Sequence, residues 1–312
     1  MQKFASIEAV ESALNEMGVK ARLNVISGRI DVDGSINGTD YSDDIKVKAL
    51  AAHVQMHLAG SRYEDVEDSI ISIADENRYN PVQEMLDETT RDGEDRINGL
   101  VNDVFGVKTE QESKYIKSWL HQTVAMAFNG GTDINIANNG GSNNGGHDDD
   151  DSDQNLYGAD GVLVLVGEQG IGKTLLISKL AVDHNLALDG RSFNLRDRDN
   201  VIINTSHWIT EIYDVDNLTP EEKAFITAAA DTYRQPYERV LTTKPRRTSF
   251  CATVNRVPTV LNRRLWVVDA NNLNLERVLA IDEDWAKQLW KQVYEELYLP
   301  NPQGFRISND LA

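Results

Sequence analysis

Residues 167–174 run Gly167, Glu168, Gln169, Gly170, Ile171, Gly172, Lys173, Thr174, a glycine-rich turn closed by a lysine and a hydroxyl. The spacing fits G-x-x-x-x-G-K-[ST], the phosphate-binding loop. Glycines let the backbone wrap an anion with its N–H groups. A helix starting at the loop's exit aims the positive end of its dipole at the same anion. Lys173 is expected to reach the β- and γ-phosphates of a nucleoside triphosphate, and Thr174 to offer its hydroxyl to Mg²⁺. The eight residues 167–174 are therefore the expected nucleoside triphosphate site.

Hydrolysis needs more than a phosphate cradle. "SHWITEIYDVD" is an apolar run ending in acids, with Glu211 and Asp214 at its C-terminal edge, where ligands gather in open α/β sheets. One acid is expected to help bind Mg²⁺ and the other to orient or deprotonate the attacking water, in an order the sequence leaves open. "SFCATVNR" supplies another apolar run with Asn255 at its end, a polar group suited to hold that water.

Positive charge is concentrated in one stretch. Residues 232–266 hold eight basic residues against the single acid Glu238, in a chain whose net charge is -19. Such a patch suits phosphate, of nucleotide or of nucleic acid. "DTYRQPYERVLTTKPRRTSF" reads as a hairpin, with Arg234, Arg239, Lys244, Arg246 and Arg247 as expected DNA contacts. Arg263 or Arg264 could deliver a guanidinium to the γ-phosphate of a neighbouring copy, which requires a head-to-tail ring. The acidic whole argues against indiscriminate coating of nucleic acid, since that binding rests on many neutralising cations.

Those residues need a frame to hold them. "GVLVLV" enters the phosphate loop and "LLISKLAVD" leaves it, strand before and helix after. Apolar β-prone runs then alternate with helical ones through "RLWVVDA", the pattern of a mostly parallel α/β sheet covered on both faces. Upstream, the chain is mainly helical. "SIEAVESALNEM" has Ser6 as its expected cap, "ARLNVISGRIDVDG" reads as a hairpin, and "PVQEMLDET" starts at Pro81. In "EQESKYIKSWLHQTVAMAF", Tyr115, Ile116, Trp119, Leu120 and Val124 form one apolar face, read as core packing. Trp285, Leu289, Val293 and Leu297 mark a closing helix.

Twelve of the eighteen residues 129–146 are Asn or Gly, and "HDDDDSDQN" follows. Such a segment buries too little apolar surface to offset its ordering entropy. It is expected to be a flexible insertion, with Asp148 to Asp151 as solvated charge rather than a metal site. The expected organisation is a helical domain or collar at 1–128, the insertion at 129–155, a phosphate-loop core at 156–272 and a helical segment at 273–312. The lone Cys251 excludes an intrachain disulfide and reads as a buried thiol. No signal peptide and no run near membrane-spanning length is visible, so a cytoplasmic location is expected.

Over roughly residues 62–300, the order of motifs resembles the virulence-associated protein E family. The motifs are "ENRYNPVQEMLDET", "SKYIKSWLHQTVAMAF", "VLVLVGEQGIGKT", "HWITEIYDVD", "DTYRQPY", "KPRRTSFCATVN" and "NRRLWVV". The phosphate loop is generic, but the later combination is specific. The resemblance implies a superfamily 3-like, AAA+-related ATPase of phages and mobile elements. It places ATP on residues 167–174, makes Glu211 and Asp214 the acidic motif and Asn255 the first sensor, and makes Arg263 or Arg264 the arginine finger. The second acid is Asp214 where the family usually has Glu. "NRVPTVLNRR" lacks the Asp and Thr-Gly that the family tends to carry before its paired arginines. No primase-like domain is recognisable.

The expectation is therefore an ATP-dependent replicative DNA helicase working as a ring, expected to be hexameric, on single-stranded DNA, with a primase or replication-initiation partner. The alternative is a regulatory nucleotide switch that binds a replication or defence partner without unwinding. A DNA-packaging or transport ATPase fits the later motifs less well.

Overall fold

The computed structural model describes residues 5–36, 39–40, 47–130, 156–191, 194–212, 215, 218–233, 242–259 and 263–307. The described residues fall into two compact units that divide at Pro81/Val82.

The first unit begins with helix α1 (Ile7–Glu16), whose Ser6 cap accepts a hydrogen bond from the Ala9 N–H. Strands β1 (Lys20–Leu23) and β2 (Ile30–Asp33) pair antiparallel as the expected hairpin. The short strands β3 (Ser35–Ile36) and β4 (Thr39–Asp40) also pair antiparallel. Helices α2 (Val47–His57) and α3 (Tyr63–Glu76) complete the unit. The helical spacing of Val66, Ile70, Ile73 and Ala74 turns these side chains into a core with Val10, Leu14, Val32, Leu50 and Val54.

The second unit is built on a five-stranded, all-parallel sheet. Helices α4 (Pro81–Glu88), α5 (Arg96–Gly99) and α6 (Glu110–Ala127) precede it, with a π-helical segment at Leu100–Val104. Strand β5 (Val162–Val166) enters the glycine-rich loop and α7 (Lys173–Leu180) leaves it. There follow β6 (Ala187–Arg191), α8 (Arg198–Asn204), β7 (Ile209–Ile212), α9 (Pro220–Ile226), β8 (Ala230–Tyr233), β9 (Thr242–Pro245), β10 (Ser249–Val254) and β11 (Leu265–Asp269). Helices α10 (Leu275–Ala280) and α11 (Glu283–Val293) end the unit, with α11 running into a π-helical segment at Tyr294–Tyr298. The sheet order is β11-β5-β10-β7-β6, so the loop-bearing strand lies inside the sheet beside β10. Every residue of β5 is buried, which is why this run reads as continuously apolar rather than alternating; β7 is buried throughout as well, with the polar Thr210 and Glu211 among its residues. Strands β8 and β9 form a separate antiparallel hairpin; residues 234–241 between them lie outside the described residues.

The division at Pro81/Val82 differs from the expected one at residue 128, and the reason is side-chain bonding. Helix α6 is fastened to the sheet. Trp119 Nε1 donates to the Phe250 carbonyl at 3.0 Å, and Gln122 Nε2 to Gly161 at 2.8 Å. The Thr123 hydroxyl donates to Ser249 Oγ at 2.9 Å. The C-terminal helix is tied in as well. Trp290 Nε1 donates to the Leu180 carbonyl at 2.6 Å, and Gln292 Oε1 accepts from the N–H groups of Arg96 and Ile97. Residues 82–128 and 273–307 are therefore parts of the same body as the sheet. Of the insertion expected at 129–155, Asn129 is instead part of the folded body: it is buried, its Nδ2 donates to the carbonyls of Ala229 and Arg246, and its Oδ1 accepts from the Tyr157 N–H. Residues 131–155 lie outside the described residues. Among the described residues, no helix is long and apolar enough to cross a membrane.

Candidate active site at the phosphate loop

The loop sits where β5 ends, and its shape depends on glycine at two points. Gly170 and Gly172 have φ of +85° and +101°, a left-handed backbone that other residues rarely adopt. A Cβ on Gly172 would also stand 2.9 Å from Leu275 Cδ1. Gly172 then caps α7, so Lys173 and Thr174 are the first residues of that helix.

Lys173 is folded back over its own loop. Its Nζ donates to the carbonyls of Gly167 and Glu168, both at 2.7 Å, and the side chain is buried. Burial holds its pKa below the ordinary lysine value, while the negative charge of Glu211 works in the opposite direction. The ammonium is thus poised on two neutral acceptors at the place where the loop would hold a triphosphate.

Glu211 comes from β7, two strands from β5, with β10 between them. It is 1 % exposed. Its Oε1 accepts from Thr174 Oγ1 at 3.1 Å and from the Thr253 hydroxyl in a short bond. The two threonine oxygens are 3.3 Å apart. Its Oε2 is buried with no hydrogen-bond partner. A buried carboxylate oxygen without a donor, beside the hydroxyl of Thr174, suits a divalent cation: hard cations take oxygen ligands, and an unpaired buried oxygen is costly. The residues present therefore fit Mg²⁺, which Thr174 and Glu211 would hold. Of the two acids that the sequence left equivalent, Glu211 is described and accepts a hydrogen bond from Thr174. Asp214 lies outside the described residues.

Asn255 is exposed directly after β10. Residues 251, 253 and 255 alternate onto one face of that strand and its extension, and Cys251 stands in register with Glu211. The loop is braced from the other side too. Asn271 Oδ1 accepts from the Glu168 N–H at 3.0 Å, and Asp269 Oδ1 accepts from the N–H and Nδ2 of Asn271 at 2.9 and 2.7 Å. Sequence reasoning missed Thr253, Asn271 and Asp269. Thr253 sat in an apolar run as one more β-prone residue, and nothing local links Asn271 to a loop about a hundred residues upstream.

The basic stretch divides. Arg246 is 1 % exposed and forms a two-pronged ion pair with Asp231 on β8. It also donates to the Phe225 carbonyl at 2.7 Å, and its guanidinium lies 4.0 Å from the Phe225 ring centre. Arg247 is buried as well and donates to the Ala127 carbonyl at 2.9 Å. The expectation that these two contact DNA is corrected: their charges are used inside the fold, anchoring the base of the β8–β9 hairpin. Lys244 is half-buried on β9, and Arg234 and Arg239 lie outside the described residues. Of the two finger candidates, Arg264 is half-buried and donates to the Lys223 carbonyl of its own chain at 2.9 Å, while Arg263 is exposed.

A five-stranded parallel sheet of order 5-1-4-3-2, counted within the sheet, with a glycine-rich loop on its first strand and an acid on its third, defines an α/β protein with a phosphate-loop NTPase-like core. Residues 157–308 match the virulence-associated protein E-like domain. Two apo A-form structures of the NrS-1 C-terminal region are similar in fold, each with a TM-score of 0.52 at 13 % identity. One match covers 90 % of this chain and 68 % of that one, the other 97 % and 75 %. No curated protein matches.

Proposed function

We propose that the chain is an ATP-dependent DNA helicase of phage or mobile-element replication, acting as a ring oligomer, expected to be hexameric, on single-stranded DNA. The observation that carries this reading is Lys173, Thr174 and Glu211 gathered at one end of a parallel sheet, with a carboxylate oxygen left unpartnered. The family match over residues 157–308 supports it. The backbone of residues 167–172 would cradle the phosphates, and Lys173 would exchange the carbonyls of Gly167 and Glu168 for phosphate oxygens. Thr174 and Glu211 would hold Mg²⁺, which when bound neutralises phosphate charge. Asn255 and Asp214 would orient water at the C-terminal edge of the sheet. Arg263 or Arg264 would be the finger toward a neighbouring copy. Arg234, Arg239 and Lys244 remain the proposed DNA contacts of the hairpin.

A second reading has its own support. With Arg246 and Arg247 consumed by the fold in a chain of net charge -19, fewer cations remain for DNA. A nucleotide switch that binds a replication partner, without unwinding, meets that constraint. The two separate in one experiment, which follows ATP hydrolysis and separation of a forked duplex by the assembled oligomer at low salt. The helicase reading predicts unwinding with ATP and none with a non-hydrolysable analogue. Hydrolysis without unwinding favours the switch, and no hydrolysis with or without single-stranded DNA overturns the ATPase reading.

A further inference from the structure

We propose that Thr253 is a positioning residue that fixes the orientation of Glu211 for its metal ion; this rests on the ATPase reading above. Three observations converge on it. Thr253 Oγ1 donates a short hydrogen bond to Glu211 Oε1, the same oxygen that accepts from Thr174 at 3.1 Å. The other carboxylate oxygen is buried and has no partner. Thr253 stands one residue from the end of β10, the strand between the loop-bearing β5 and the acid-bearing β7, so its hydroxyl bridges the two halves of the site.

The geometry divides the labour of the carboxylate. A carboxylate has about four lone-pair sites over its two oxygens. Two hydroxyl donors occupy one oxygen, which fixes the plane of the group and leaves the second oxygen for a cation. Thr174 alone supplies one donor from a helix that must also serve nucleotide. Thr253 supplies the second from β10, which pairs with β7 up to Ala252 and with β5 through Thr253 itself, opposite Leu165, so its donor is set by the sheet rather than by the helix. Without it, the carboxylate of Glu211 can rotate about its terminal torsion, which is a soft one. A hydroxyl bond to a charged group removed in this way should cost about 10- to 100-fold in a function that needs the orientation.

The test uses the full-length chain with Thr253→Val, which keeps the branched shape and removes the donor, and Thr253→Ser, which restores it. ADP affinity is measured by calorimetry with and without Mg²⁺, and ATP turnover is measured alongside. Thr253→Val should bind ADP normally in the absence of Mg²⁺. It should lose most of the affinity that Mg²⁺ adds, and show kcat lowered about 10- to 100-fold at a KM within about threefold. Thr253→Ser should recover both. A Thr253→Val variant with the same Mg²⁺ gain and the same kcat overturns the assignment, as does a well-folded Thr253→Ser variant that recovers neither. If the unaltered chain binds no nucleotide, the ATPase reading itself fails and the inference falls with it.

Discussion

Glu211→Gln separates a functional acid from a structural one, because the two roles move stability and activity in different directions. The side chain is 1 % exposed, its oxygen Oε1 accepts from two neutral hydroxyls, and Oε2 has no donor. Lys173 is the cation whose charge is felt against it. Keeping a carboxylate charged in such a place costs several kcal/mol. The amide keeps the shape and lets its oxygen still accept from Thr174 and Thr253. It turns two charge-assisted bonds into neutral ones, a loss of about 1 kcal/mol each, and forfeits the attraction to Lys173. The balance for the metal-free protein is a gain of about 1–2 kcal/mol. In a body of this size that is a rise in Tm of roughly 2–8 °C. Mg²⁺-supported ATP turnover should fall by at least about 100-fold, since the amide is a poor ligand for a hard cation. Circular dichroism melts without metal and a phosphate-release assay with Mg²⁺ read the two quantities. A lower Tm together with undiminished turnover would show that Glu211 is kept for the fold, and would refute the reasoning.

Other outcomes follow from the same structure. His121 is buried, with its pKa pushed down to about 4 chiefly by burial, against the opposing effect of a bond to the Asn301 backbone. Above the ordinary histidine value both folded and unfolded states are neutral there. As pH falls from about 6.5 toward 4, only the unfolded chain takes up the proton, so up to about 3 kcal/mol of stability is lost across that window. His121→Phe should flatten the decline in urea-denaturation free energy, and an unchanged slope contradicts the assignment. Arg246→Met should destabilise the second unit by about 3–5 kcal/mol, because it strands Asp231 in the interior. Combining it with Asp231→Leu should restore most of that loss in denaturant titrations. An Arg246→Met protein that is fully stable but poor in DNA binding would reinstate the contact the fold denies it.

The phosphate loop was legible because its chemistry is local: glycine, lysine and threonine must stand at fixed spacing, and strand and helix flank them in sequence. The apolar face of α6 was legible for the same reason: Ile116, Trp119, Leu120 and Val124 are all buried, and Tyr115 is half-buried and stacked on Trp266. What escaped depends on partners distant in the chain. Strand β6 (Ala187–Arg191) holds Asp189 and Gly190 and lies at the sheet's edge, paired on one side with β7, so it carries no apolar signature. Trp290 sat beside the four-residue repeat that marked α11, yet it packs 4.7 Å from the Trp208 ring centre. Arg246 looked like a surface cation because its neighbours are basic. Its carboxylate partner comes from β8, where Asp231 pairs with Lys244 in the hairpin register, a relation only the folded chain displays. Thr253 reads as a β-prone residue until β7 is placed beside it.

The central claim is the proposal that residues 167–174, Lys173 among them, bind the phosphates of a nucleotide. Calorimetric titration of MgADP into the unaltered protein and into Lys173→Ala tests it most directly. The account predicts saturable binding by the unaltered chain and an affinity at least about tenfold weaker in the variant, because the buried ammonium now held by Gly167 and Glu168 would be the loop's own phosphate partner. Equal affinity in both proteins, or no binding by either, would contradict it.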